Sequence, residues 1–261
     1  MGAAENHNTN NKKEEDDECF SFVSINGVVI DASQDAKISI WDRSFHRGDG
    51  VFEVMKLLKI VVVNDNDNDD DPNANATVTT TKTTTTTKTT TIRSLPFHLE
   101  RLRVSADGVG CPLPDDEILT TWLQDAAAIC GEQYYNDNHH ATVTTTSTTT
   151  STNNNNTSVL AAGSLRLIAT KGQEGTKTAT AAATASAPSS IIISWNPPPT
   201  WPDTFTLFPL LAPWHPAGAP GWETPIKWTS YGPNVVSNRK AQQAGYTDAL
   251  LLSSDRLPLL E

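Results

Sequence analysis

The stretch "ETPIKWTSYGPNVVSNRKAQQAGYTDALLL" (223–252) places one lysine, Lys227, between an isoleucine and a tryptophan, just ahead of a turn. Downstream of it, "PNVVSNRKAQQAG" (233–245) reads as a helix with Gly245 at its C-terminal cap, and "YTDALLL" (246–252) reads as a strand. A charged amine in that setting has two readings. In one, the stem runs along apolar surface and the ammonium stays in water. In the other, the amine is held neutral and nucleophilic, as in a lysine that forms a Schiff base. Most lysines are solvated, so the lysine alone favours the first reading, and the rest of the chain has to decide.

The chain has 261 residues and a formal net charge of -11, from 19 basic and 30 acidic residues. Ten of the carboxylates sit in two short runs, "EEDDE" (14–18) and "DNDNDDD" (65–71), so the remainder is close to balanced. The acidic balance argues against a nucleic-acid partner. Cys19, Cys111 and Cys130 are widely spaced, with no CxxC pair, which points to a reducing compartment rather than a zinc site or a disulfide scaffold. "DNDNDD" is not a calcium loop, because Asp70 stands where the loop needs glycine and Ala76 where it needs glutamate. No metal is expected. Apolar runs are too short for a membrane span, and the polar N-terminus is unlike a secretory or transit signal. Sequons at Asn75, Asn155 and Asn156 are then incidental. The expectation is a soluble protein of the cytoplasm, with an organelle as the alternative.

Three tracts lack the large apolar side chains that offset ordering entropy: 64–91, 136–158 and 173–190, all rich in Thr, Asn, Ala or Ser. They read as disordered inserts, and residues 1–19 as a disordered acidic tail. Between them, "FSFVSINGVVI" (20–30) carries a two-residue hairpin signal at Asn26-Gly27. "GVFEVMKLLKIVVV" (50–63) is a strand whose expected return partner is "TIRSLPF" (91–97), across an extended hairpin loop. Helices are expected over 98–110 and 112–131, and strands over 164–172 and 191–195. "NPPPTWPD" (196–203) is a stiff connector that divides a domain at 20–195 from a second one beginning at 204. Five of the seven tryptophans and nine of the sixteen prolines lie between 195 and 228, which reads as a Trp-packed junction or as a ligand wall.

Three segments together resemble the class IV, or fold-type IV, aminotransferases, which include branched-chain aminotransferases, D-amino-acid aminotransferases and aminodeoxychorismate lyase. "ISIWDRSFHRGDGVFEVMKL" (38–57) is similar to the family's Asp-Arg, Gly-Asp-Gly, Phe-Glu pattern. "FHLERLRVSADGVGCPLP" (97–114) is similar to its His-Leu-x-Arg-Leu helix, and the opening stretch to its Lys-x-x-Asn-Tyr segment. Each motif alone is weak; three in the right order are not. The resemblance implies an α/β fold of two domains and a homodimer. It also implies pyridoxal 5'-phosphate as cofactor, with an amino acid and a 2-oxo acid as substrates. Lys227 matches the Schiff-base lysine, Arg101 the phosphate anchor, and Glu261 the partner of the pyridine nitrogen. Tyr231 matches a tyrosine beside the cofactor's phenolic oxygen, and Phe52, Glu53 and Lys56 a strand lining the cleft, of which alternation lets only some face it. Taken without the resemblance, Arg101 is an ordinary helix-surface arginine.

The sequence departs from the pattern in places. Ser230 replaces the motif asparagine, and Lys171-Gly172 has no Arg-x-His after it, which disfavours the D-amino-acid branch. Glu53 stands where some lyases carry threonine, which favours transamination. Family members continue past the glutamate that matches Glu261, so the second domain is expected to be incomplete and the chain truncated. The leading expectation is a transaminase. A pyruvate-eliminating lyase of the aminodeoxychorismate type, or a non-catalytic fragment, are the alternatives.

Overall fold

The hairpin turn at Asn26-Gly27 sets the edge of the main sheet. Both residues have positive φ, 52° and 79°, as a tight two-residue turn between twisted strands requires. They join β1 (Val23–Ile25) to β2 (Val28–Ile30). The computed structural model describes residues 22–31, 34–66, 83–137, 155–172, 189–213, 226–253 and 255–259. The expected acidic tail, the central parts of the three expected inserts, Trp214, Trp222 and Glu261 lie outside them.

Four further strands complete the sheet: β3 (Val51–Asn66), β4 (Thr83–Ile92), β5 (Asn155–Ala169) and β6 (Ile191–Asn196). Their order is β2-β1-β6-β5-β3-β4, and the neighbouring pairs are antiparallel. α1 (Arg43–Arg47) precedes β3, while α2 (Leu95–Val109) and α3 (Asp116–Asp137) cover one face. The covered face follows the strand period of two. Val51, Met55 and Leu57 lie inward along β3, as do Leu165 and Leu167 along β5 and Ile191 and Ile193 along β6. Leu99 and Leu102 of α2 and Leu119 and Leu123 of α3 meet them. Each such side chain contributes about 1.5–3 kcal/mol on burial.

Two expectations are corrected here. Of the expected partner of β3, residues 91–97, only Thr91 and Ile92 pair with it; the strand is the threonine tract Thr83–Ile92, in register from Leu57↔Ile92 to Asn66↔Thr83. Threonine is β-branched and stiff, so a tract too polar to form a core of its own still extends a strand that already exists. The tract 136–158 likewise gives its first residues to α3 and its last to β5. The second correction concerns Gly131, expected to end α3, which instead runs on to Asp137. A Cβ at Gly131 would collide with the Thr90 side chain, so this glycine lets helix and strand approach closely. Its carbonyl accepts a hydrogen bond from the buried Lys59 ammonium at 3.0 Å. Burial, helped by Lys88, pulls the Lys59 pKa down from its ordinary value.

β3 and β5 shift register between Lys56 and Leu58, close to Gly163, whose φ is 100°. A Cβ at Gly163 would strike the Asn196 carbonyl and the Trp195 indole, which itself donates to the Ala162 carbonyl at 3.0 Å. Gly163→Ala is therefore expected to lower stability by about 2 kcal/mol, read as a lower urea midpoint.

A smaller unit follows residues 197–206. β7 (Leu207–Leu211), not anticipated from the sequence, pairs in parallel with β8 (Asp248–Leu252), and α4 (Gly232–Gln243) lies between them in sequence. After β8 the chain turns back and forms an antiparallel bridge between Leu252 and Pro258. The described tryptophans of this region do not form one packed cluster. Trp195 is buried, whereas Trp201 is 67% exposed and rests on Phe205. No described helix is long and apolar enough to cross a membrane.

Candidate active site

β4 pairs with β3 only from Leu57 onward, which leaves the edge at residues 51–56 open to another partner. The segment around Lys227 takes it. The Phe52 amide donates to the Lys227 carbonyl at 2.9 Å, and the Thr229 amide donates to the Gly50 carbonyl at 2.8 Å. Trp228 thus stands opposite Val51 and shares its helix-facing side, while Lys227 points to the other face, with Phe52. From the helix side, the buried Ser105 hydroxyl of α2 accepts from the Lys227 amide at 3.2 Å. Ile226 packs where a Cβ on Gly108 would otherwise sit. Lys227 is therefore fixed through its backbone, and its side chain projects over the open face.

Phe52 is the floor of that face. Its ring centre lies 4.9 Å from Lys227 Nζ and 4.9 Å from the Arg166 guanidinium carbon. Tyr231 meets it edge-on at 5.7 Å. Lys56 lies on the same side farther along β3 and is exposed. Among the residues expected from the sequence, Lys227, Tyr231, Phe52 and Lys56 thus share one face.

Glu53 does not join them, in keeping with the alternation that lets only some of Phe52, Glu53 and Lys56 share a side. It is 1% exposed and points toward α2, because Val51, Glu53 and Met55 are the inward positions of the strand. There it receives Arg101 side-on: Nε donates to Oε1 at 2.6 Å and Nη2 to Oε2 at 2.6 Å. His98 Nδ1 lies 3.0 Å from Oε2, and a carboxylate can only accept, so His98 is the donor. Arg101 is not an ordinary surface arginine. The hydrogen bond to Glu53 raises its pKa, outweighing burial. One helical turn separates Arg101 from Ser105, so the guanidinium and the Lys227 amide share a stripe of α2. Glu261, the remaining expected residue, lies outside the described residues.

The surrounding loops are tied to this edge. Asp42 caps α1 through the Ser44 amide at 2.8 Å, and Arg43 pairs with Asp49 at 2.7 Å. Ser230, in place of the motif asparagine, donates to the Gly48 carbonyl at 2.9 Å. Lys171 donates from Nζ to the Val109 carbonyl at the end of α2, at 2.6 Å. Cys111 and Cys130 are buried, and burial pushes their thiols up to about 11 and about 12. Both are expected to resist alkylation at neutral pH until the chain unfolds, which peptide mapping after timed labelling would show. A groove of 980 Å³ between β4, α2 and α3, lined by Leu95, Glu100 and Arg103 among others, shares no residue with the Phe52 face.

Sequence reasoning missed Ser105, His98 and Arg166. Helical spacing puts His98, Arg101 and Ser105 on one stripe. Alternation with Leu165 and Leu167 puts Arg166 on the face opposite the core. What spacing could not supply is the pairing of β3 with β5 that sets Arg166 over Phe52.

The sequence profile of the amino-transferase class IV family matches residues 80–261, and the chain belongs to that family. No curated protein sequence matches it. Among solved structures, it resembles a fold IV-transaminase, CpuTA1, from Curtobacterium pusillum, with a TM-score of 0.54 at 18% identity, covering 92% of this chain and 66% of that one. A hypothetical aminotransferase from Mycobacterium tuberculosis has, in its PLP-bound form, a TM-score of 0.54 at 19% identity, covering 92% and 65%. The apo form of that aminotransferase has a TM-score of 0.55 at 19% identity, covering 92% and 64%. The chain thus spans 66% or less of the length of these structures. At such identities the likeness concerns the fold, an α/β fold of the class IV aminotransferase kind.

Proposed function

We propose that this protein is a pyridoxal-phosphate-dependent transaminase that moves an amino group between an amino acid and a 2-oxo acid. The observation that carries the reading is the placement of Lys227. Its backbone is locked between Phe52 and Ser105, and its amine stands 4.9 Å from the Phe52 ring centre on an open face.

The residues present fit the cofactor. Lys227 offers an amine for covalent attachment, Tyr231 a phenol on the same face, and Arg101 an outer guanidinium edge not engaged by Glu53. When bound, pyridoxal phosphate supplies an aldehyde that takes up amino groups and a ring that accepts electron density. Lys227 would hold the cofactor covalently, and its amine would move the proton at the substrate α-carbon. Arg101 binds the phosphate through planar, directional N–H groups. Tyr231 would donate near the phenolic oxygen, and Glu261 would keep the ring nitrogen protonated. Arg166 adds a cation on the Lys227 face, suited to a substrate carboxylate. The same reading includes a domain division at 196–203 and a homodimer.

Amino-group transfer from a panel of amino acids to 2-oxoglutarate, followed with the purified chain and added cofactor, tests the proposal. Transfer is the expected result. Pyruvate release without an acceptor, or no turnover from a folded, cofactor-loaded chain, contradicts it. Arg166→Ala is expected to raise KM for the acidic substrate about tenfold with a smaller change in kcat, the worth of one charged hydrogen bond.

A further inference from the structure

A buried carboxylate between an arginine and a histidine has more to do than tie a strand to a helix. We propose that Glu53, braced by His98, is a positioning residue for the anion site, gripping one edge of Arg101 so that the other edge is presented to the cofactor phosphate. This rests on the cofactor reading above and extends it to residues that would touch neither cofactor nor substrate.

The geometry assigns the two edges. A guanidinium carries its N–H donors in a rigid planar fork, with a side-on edge at Nε and Nη2 and an end-on edge across Nη1 and Nη2. Glu53 takes the side-on edge with two bonds of 2.6 Å, which leaves the end-on edge uncommitted to it. The carboxylate is 1% exposed and the Arg101 side chain 32%, so the pair runs from the interior outward. The Phe97 ring, 5.8 Å from the guanidinium carbon, lies beside the fork.

His98 fixes the carboxylate in turn. It sits one helical step of three residues before Arg101 and donates to Oε2, the oxygen that also accepts from Nη2. Both Glu53 oxygens are thereby occupied, and a rotation of the carboxylate would break more than one bond. Pairing with Glu53 offsets the bare charge of Arg101. Attraction for a phosphate then depends on where its remaining N–H groups point, which is what Glu53 and His98 determine.

The test compares two ligands on the 261-residue chain: pyridoxal phosphate, and pyridoxal, which has the same ring and aldehyde without the phosphate. Dissociation constants come from absorbance titration, so no turnover is needed. The wild type is expected to prefer the phosphorylated ligand, and Glu53→Gln to shrink that preference about tenfold with little change toward pyridoxal. His98→Gln, which keeps both members of the ion pair, is expected to shrink it about threefold, the worth of one ordinary hydrogen bond. It carries the test should the Glu53 variant fail to fold. Arg101→Lys, whose ammonium cannot be held side-on, is expected to lose the preference, and Glu53→Gln on top of it to cost nothing further. A folded Glu53→Gln or His98→Gln protein with undiminished preference would overturn the positioning role, while loss in Arg101→Lys alone would leave the cofactor reading standing. A wild type that binds neither ligand would remove both.

Discussion

Lys227→Ala is expected to reduce amino-group transfer by at least about a thousandfold while the protein stays folded. The separation of these two effects comes from how the residue is held. Its carbonyl accepts from the Phe52 amide and its amide donates to Ser105, and both bonds use its backbone, so alanine keeps them. What alanine removes is the amine over Phe52, whose cation–π contact is worth about 0.5–1 kcal/mol at an exposed site. Circular dichroism and thermal unfolding would follow the fold, and transfer assays the chemistry. Transfer within about tenfold of the wild type would contradict the role assigned to Lys227, because that role requires one amine both to attach the cofactor and to move the proton. Lys56, exposed farther along the same side, is the control: Lys56→Ala is expected to leave attachment intact.

Arg101→Leu is expected to cost about 3 kcal/mol in stability, more than its partly exposed position would indicate. The cost arises at Glu53. That carboxylate is 1% exposed, and without Arg101 it loses its two bonds of 2.6 Å and, among the described residues, keeps the contact to His98. An uncompensated buried charge is expensive, whereas a pair replaced on both sides by apolar groups is often neutral. The double variant Glu53→Leu/Arg101→Leu is therefore expected to recover most of the loss, although it would abolish phosphate preference. Urea unfolding of the two single variants and the double variant measures this directly. Equal, additive losses would show that the two side chains act independently, against the pairing described here.

How much of the molecule is legible in its sequence follows the range of the interaction that decides each element. The Asn26-Gly27 turn, the inward alternation of β3 and the glycine after α4 are local signals, and each stands where expected. The threonine tract misleads because its composition describes a chain that cannot bury a core, whereas β4 needs only a neighbour to pair with. Gly131 resembles a helix end, yet its purpose, close approach to Thr90, is a tertiary contact. For the candidate site, motifs single out Lys227 and Arg101. Their partners are found only in the structure. Glu53 stands beside Phe52 in the cleft motif but faces the helices, since one step along a strand reverses the direction. Arg166 comes into view only once the register of β3 and β5 brings it above Phe52.

The central claim is that Lys227 is the residue to which the cofactor attaches. The most direct measurement is borohydride reduction of the wild-type chain mixed with pyridoxal phosphate, followed by peptide mass spectrometry. The account predicts one dominant modified site, in the peptide containing Lys227, and its disappearance in Lys227→Ala. Modification spread over the exposed lysines of a folded sample, or none at Lys227, would contradict it.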